Sequence, residues 1–110
     1  MITVAELLAH NSFTKLNKLA TPDREIASVY CCDLLSVAMG KAPADSAWVT
    51  VMGNINAVAV SALADTACII VADGAPVEER ALQKADEQGV ILLCCSQPVF
   101  EAAKFIDGLL

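Results

Sequence analysis

Charged residues are scarce in this sequence, at 18% of 110 residues, whereas hydrophobic residues make up 56%. So large an apolar fraction supports a buried core and argues against a disordered chain. The few charges are mostly acidic, since seven basic and thirteen acidic residues give a net charge of −6. An acidic chain repels phosphate backbones and anionic membrane surfaces, so we expect no nucleic-acid partner and no membrane partner.

Long apolar runs and basic leader segments are also missing. No stretch reaches the about 18 apolar residues that a membrane span requires. The N-terminus has no basic residue before Glu6, unlike a secretory signal peptide. The five cysteines are an odd number in a chain without an export signal, which indicates reduced thiols rather than a disulfide framework. We therefore expect a cytoplasmic protein.

The motifs of the common cofactor and catalytic sites are absent as well. The sequence has no Walker motif, no GxGxxG and no CxxC, and its one histidine, His10, falls in or just after the first predicted helix. We predict no catalytic residue, no metal ligand and no cofactor. Cys31-Cys32 and Cys94-Cys95 are adjacent pairs, so one thiol of each pair should be buried. Cys32 and Cys95 could still share one edge of a sheet.

What the sequence does contain is a regular alternation of strands and helices. A capping box of Thr3 and Glu6 predicts a first helix, residues 13–20 a loop or edge strand, and Thr21-Pro22-Asp23 a turn. Further on, we predict that Asp33 caps a helix ending at Gly40, and that Ser96 or Gln97 precedes a helix with Pro98 in its first turn. The predicted strands are 28–32, 47–52, 68–72 and 90–95, and the predicted helices are 34–39, 54–64, 77–88 and one from 98 onward.

This order predicts an α/β fold in one three-layer domain spanning residues 1–110. The sheet is mostly parallel, with four or five strands, and helices cover both faces. Ligands of such sheets bind beyond the carboxyl ends of the strands. The polar residues, thiol and glycines at these ends are our candidate ligand-binding residues, although helix capping alone explains several of them: Cys32, Asp33, Gly53, Asn54, Asn56, Asp73, Gly74 and Ser96.

Several segments resemble stand-alone members of the DRTGG-domain family. They are residues 24–26, 29–30, 32–36 and 39–40, together with 48–50, 56–60 and 69–71. The resemblance implies a fold similar to the N-terminal domain of HPr kinase/phosphorylase, a regulatory role, frequent dimerisation and, in some members, adenine-nucleotide binding. The Asp-Arg of the family name falls at Asn54-Ile55 and its Thr-Gly-Gly at 72–74, so Ile55 replaces the arginine that would bind phosphate.

Three functions therefore remain open. The first is a non-catalytic regulatory or protein-interaction domain that forms a homodimer and binds a small polar or anionic ligand. The second is a sensor of adenine nucleotides. The third is a redox or metal-linked accessory protein that uses Cys32 and Cys95. Under the first, the partners expected besides a second copy are an enzyme or a regulatory protein.

Overall fold

Four parallel strands and one antiparallel edge strand form the central sheet of the computed structural model, which describes residues 1–20 and 23–110. The sheet order is β2-β7-β6-β5-β4, and β2 runs antiparallel to β7. The elements in chain order are β1 (Ile2–Thr3), α1 (Val4–Leu8), β2 (Thr14–Lys15), β3 (Glu25–Ile26), β4 (Ser28–Cys31), α2 (Leu35–Lys41), β5 (Ser46–Thr50), α3 (Ile55–Ala64), β6 (Cys68–Val71), α4 (Glu79–Gln88), β7 (Leu92–Cys94) and α5 (Val99–Leu109). The predicted α/β class and the five-stranded option are confirmed.

Helices cover both faces of the sheet, as the continuous apolar character of its central strands predicted. Every residue of β5 and β6 is buried, because side chains on both faces of these strands meet a helix. One face carries a core around Trp48 that includes buried residues of α2, α3 and α4. The opposite face carries a core around Ile70 that includes buried residues of α1 and α5. The three-layer arrangement follows from these two cores.

The N-terminal part adds pairings that the sequence indicated only in part. The predicted capping box is present, with the Glu6 N–H donating to Thr3 Oγ1 at 3.1 Å. β1 pairs with β3 in a separate two-stranded ribbon that we did not predict. The edge-strand reading of residues 13–20 is correct for β2, and the buried Asn17 amide extends its pairing by bonding Val90 O at 2.8 Å. Of the predicted turn at 21–23, Thr21 and Pro22 lie outside the described residues.

Three predicted helix starts differ from the structure. Asp33 does not cap α2, whose N-cap is Leu34 without a side-chain bond, and the helix continues through Gly40. Neither Ser96 nor Gln97 caps α5, which has Pro98 itself at the N-cap. The helix predicted from 77 begins at Glu79 instead, because Val77 pairs with Gly53 in a parallel bridge and Glu78 is the N-cap. None of the helices within 1–20 and 23–110 is long and apolar enough to cross a bilayer.

Candidate functional site

The carboxyl ends of the four parallel strands lie along one edge of the sheet, and all the predicted site residues lie on the segments that follow them. Because β7, β6, β5 and β4 are adjacent in that order, we divide the edge into two halves. The β4–β5 half carries Cys32, Asp33, Gly53, Asn54 and Asn56, and the β6–β7 half carries Asp73, Gly74 and Ser96. The two halves differ in how far their polar groups are already engaged within the protein.

In the β4–β5 half, the carboxylate of Asp33 is engaged by the neighbouring strand. Its Oδ1 accepts a hydrogen bond from Thr50 Oγ1 at 2.8 Å and another from the Val51 N–H at 2.9 Å. Thr50 is fully buried, so this acceptor satisfies a hydroxyl that water does not reach. Trp48 Nε1 donates to Cys32 O at 2.9 Å and ties the same loop to β5. Asp33 therefore connects the ends of β4 and β5 through hydrogen bonds and does not cap α2.

The N-terminus of α3 is likewise occupied by groups of the protein. Asn54 is its N-cap, as predicted, and Asn54 Oδ1 accepts from the Ala57 N–H at 2.9 Å. The carboxylate of Glu78 accepts from the Ile55 N–H at 3.3 Å. The free N–H groups at a helix N-terminus usually favour a bound anion. Here the Glu78 carboxylate already occupies that position and would repel an anionic ligand. Asn56 is exposed.

Gly53 allows a close approach of backbone, but the backbone is that of the protein. A Cβ atom at this position would lie 2.5 Å from Pro76 O and 2.9 Å from Val77 Cα. The Glu78 N–H also donates to Gly53 O at 2.8 Å. The segment between β6 and α4 thus covers the end of β5, and the glycine serves this packing.

The β6–β7 half contains a cleft of about 570 Å³ between the ends of these strands and the segment from α1 to β2. Within residues 1–20 and 23–110, no charged side chain lines it. The hydroxyls of Thr14 and Ser96 make no hydrogen bond within the described chain, and both residues are exposed. The lining residues are Asn11, Ser12, Thr14, Leu16, Gly74, Ala75, Val77, Cys94, Cys95 and Ser96.

The floor of this cleft is fixed by a tight turn. Asp73 and Gly74 have φ angles of 62° and 63°, and the Ala75 N–H donates to Ala72 O at 3.1 Å. Two positive φ angles at the central residues define a type I′ turn, for which Asp-Gly is a favoured pair. The Gly74 N–H donates to Cys95 O at 3.1 Å, so the turn is held against the end of β7.

The cysteines do not converge. Cys32 follows β4 and Cys95 follows β7, three strand spacings away, which is about 14 Å. The described residues contain no group of three or more His, Cys, Asp or Glu side chains that could hold a metal ion. Burial raises the pKa of the Cys95 and Cys94 thiols, and it raises the pKa of Cys68 to about 12. A raised pKa keeps a thiol protonated and a poor nucleophile at neutral pH.

Sequence reasoning missed the wall of the cleft that comes from the segment between α1 and β2. The rule for parallel sheets considers only the loops that follow parallel strands, whereas β2 is antiparallel and enters from the opposite direction. The usable signal was Phe13, a large apolar residue between Ser12 and Thr14. Its burial anchors the segment and leaves both hydroxyl residues exposed beside β7.

No protein-family model matches the sequence, and no curated protein matches it. A solved structure does match: the CBS and DRTGG domains of the regulatory region of Clostridium perfringens pyrophosphatase, complexed with the activator diadenosine tetraphosphate. The TM-score is 0.69 at 10% sequence identity, and the match covers 94% of this chain and 45% of that one. The chain therefore spans less than half of the matched structure. The likeness shows a related fold, and membership of the DRTGG family stays a prediction.

Proposed function

We propose that this chain is a non-catalytic regulatory domain that binds a small polar ligand in the cleft of the β6–β7 half. The observation that carries the proposal is the contrast in polar engagement along one sheet edge. Asp33 and Asn54 already bond the protein, whereas the Thr14 and Ser96 hydroxyls point to no partner in the described chain. Groups that the fold leaves available are the ones that a ligand can use.

The lining of the cleft defines the chemistry of the ligand. The hydroxyls of Thr14 and Ser96 can each donate and accept hydrogen bonds, and Ser12 Oγ, which donates to His10 O at 3.4 Å, can accept one. Leu16 and Val77 provide an apolar wall. No lysine or arginine is available in the lining to pair with a phosphate. The part of the ligand inside the cleft is therefore uncharged and hydroxylated or heterocyclic. The volume of about 570 Å³ lies within the range of small-molecule sites, about 300–1,000 Å³.

An adenine-nucleotide sensor is the second candidate function. It takes support from the fold shared with a regulatory region that was solved with diadenosine tetraphosphate. In this version the nucleoside part enters the cleft, and the phosphates extend beyond the exposed Ser96 into solvent. That orientation is the one compatible with a lining without cations.

We propose a non-catalytic role because the candidate nucleophiles near the cleft are protonated thiols and the histidine lies elsewhere. The thiols nearest the cleft, Cys94 and Cys95, have raised pKa values and therefore little thiolate. His10 stacks edge-to-face on Phe105, with ring centroids 5.4 Å apart, and is absent from the cleft lining. The redox or metal-linked alternative is disfavoured by the three strand spacings between Cys32 and Cys95.

We also propose that the domain acts in the cytoplasm as a homodimer and transmits ligand binding to a partner enzyme or regulatory protein. The support is compositional: an apolar content of 56% in a chain of this size leaves surface suited to protein contacts.

A thermal-shift screen tests the ligand proposal. Its panel contains adenosine, AMP, ADP, ATP, diadenosine tetraphosphate and uncharged polar metabolites. A ligand at 100 times its dissociation constant adds roughly 2.7 kcal/mol to stability, which raises the Tm by roughly 10 °C in a domain of this size. Ser96→Trp should fill the cleft and abolish the shift, while Gln88→Trp, at an exposed position on α4, should keep it. A flat response to the whole panel, or an equal shift in both variants, contradicts the proposal.

A further inference from the structure

Two neighbouring helices, α2 and α3, present a surface that is almost free of charge. Residues 46–64, which include all of α3, contain no charged side chain, and residues 34–44 contain only Lys41. Large apolar side chains are nevertheless exposed here: Leu63 at 73%, Leu34 at 60% and Met39 at 53%. We call this surface the α2–α3 face and define it by five exposed residues: Leu34, Val37, Asn56, Ala59 and Leu63.

The remaining helices present the opposite surface chemistry. α4 begins with Glu79 and Arg80 and exposes Lys84 and Glu87. α5 exposes charged residues along its length as well, and its one large exposed apolar side chain is Phe100, at 68%. Exposed apolar side chains that stand singly are common on protein surfaces, whereas several on two adjacent helices without charge between them indicate a covered surface.

We infer that the α2–α3 face is the interface with a second copy of this chain, which deepens the homodimer part of the proposed function. The charge distribution favours a second copy of this chain as the binding partner. Each copy carries a net charge of −6, so two copies repel each other where acidic surfaces meet. The residues that define the α2–α3 face include no carboxylate, so two copies repel each other less there than at their acidic surfaces. A basic partner would instead gain more from the acidic surfaces elsewhere on the domain.

The geometry of α3 suits a two-fold interface. Its exposed residues Asn56, Ala59 and Leu63 lie on one side of the helix, at spacings of three and four residues. A two-fold axis that passes near Ala59 places the α3 helices of the two copies against each other in antiparallel orientation. The small side chain at the centre permits close approach, and Leu63 of one copy then covers the end of α3 at which Asn56 lies in the other.

The available area lies at the lower end of what a dimer requires. α3 is about 15 Å long, and neighbouring helices lie about 10 Å apart, so α2 and α3 offer a footprint of about 15 Å by 20 Å. The accessible surface over such a footprint exceeds its projected area of about 300 Å² because the side chains protrude, and a stable dimer at the lower end of the usual range buries about 600 Å² per partner. That amount is about a tenth of the chain's 5562 Å².

Sedimentation velocity from about 1 to about 100 µM (at or above the dissociation constants of standard interfaces, which are about micromolar or lower) tests this inference with three proteins. The wild type should sediment as a dimer, and Leu63→Glu should sediment as a monomer with an unchanged circular dichroism spectrum. Phe100→Glu is the matched control, since it places the same charge at an equally exposed apolar position outside the face, and it should stay dimeric. If Leu63→Glu fails to fold, Leu34→Glu takes its place with the same expectation.

The other outcomes overturn the inference in distinguishable ways. A dimer that persists in Leu63→Glu and Leu34→Glu uses a different surface, such as the unpaired edge of β4, and contradicts the assignment of the face. A dimer lost in Phe100→Glu but kept in Leu63→Glu has the same meaning. A wild type that stays monomeric over the whole range contradicts both the face and the homodimer. The ligand proposal is decided separately, by the thermal shift of the same protein.

Discussion

The two halves of the sheet edge are built from the same kinds of residue, yet they are available for binding to different degrees. In the β4–β5 half, Asp33 and Asn54 accept hydrogen bonds from the ends of β5 and α3, and Glu78 adds a carboxylate to the same helix end. In the β6–β7 half, the turn at Asp73-Gly74 holds only the backbone, and side-chain hydroxyls face a cleft. Polar residues at strand ends are therefore not equivalent.

The difference arises from which chain segment approaches each half. The segment before α4 closes over β5, because Gly53 lets Pro76 and Val77 come near, and it brings Glu78 to the N-terminus of α3. On the other side, β2 pairs with β7 over only two residues, so the segment before it stands away from the strand end and leaves a space. One half is filled by the protein, and the other remains open.

The largest effect is expected from filling the contact at Gly53. Gly53→Ala places a methyl group against Pro76 O and Val77 Cα, where backbone has to move, so the free energy of unfolding should fall by about 3 kcal/mol. Gly40→Ala is the control, because that position lies within α2 with nothing within 4 Å, and it should raise stability by up to about 1 kcal/mol. Urea denaturation measures both, and a neutral Gly53→Ala would show that this half is loosely packed.

The next largest loss of stability is expected on removing the hydrogen bonds that Asp33 accepts from the end of β5. Asp33→Ala leaves the buried Thr50 hydroxyl without its acceptor, so it should lower the free energy of unfolding by about 2 kcal/mol. Asp33→Asn keeps an oxygen at the same place and should lose much less. Ligand shifts in the thermal assay should be unchanged in both variants. A ligand response lost in Asp33→Asn without a loss of stability would move the site to the β4–β5 half.

Cys68 allows a prediction about a residue that belongs to neither half, since it lies at the opposite end of β6. Its pKa is about 12 in the folded protein, against 9.0 for an ordinary thiol, because burial disfavours the thiolate. Folding thus favours the protonated thiol, and this contribution is complete below pH 9 and lost as the pH rises toward 12. Stability should decline more steeply with rising pH in the wild type than in Cys68→Ala, as measured by urea denaturation. Parallel declines would contradict the assignment to this thiol.

The smallest effect on stability is expected in the cleft. Thr14→Val and Ser96→Ala remove exposed hydroxyls without partners in the described chain, so the free energy of unfolding should change by less than about 0.5 kcal/mol. Ligand affinity, measured by calorimetry with whichever member of the panel shifts the wild type, should fall by about tenfold for each lost hydrogen bond. A stability loss comparable to that of Asp33→Ala would show that these hydroxyls are structural.

The sequence predicted the parallel sheet well because β5 and β6 are continuous apolar strands between amphipathic or small-residue helices. It predicted the edge on which the candidate residues lie for the same reason. It did not predict the cleft, because the position of β2 depends on tertiary contacts such as that of the Asn17 amide with Val90 O. The sequence also led to a wrong assignment of Asp33. A carboxylate that precedes a helix has the same local pattern whether it caps that helix or accepts hydrogen bonds from the end of the neighbouring strand.

The most direct test of the contrast between the halves is a titration followed by ¹⁵N–¹H NMR spectra, with adenosine, ATP and diadenosine tetraphosphate as probes. We expect amide shifts confined to the wall and floor of the cleft, at residues 11–16, 74–77 and 94–96. We expect unchanged signals at Asp33 and Asn54, whose side chains are engaged within the protein. Shifts centred on those two residues, with the cleft signals unmoved, would show that the ligand binds at the β4–β5 half instead.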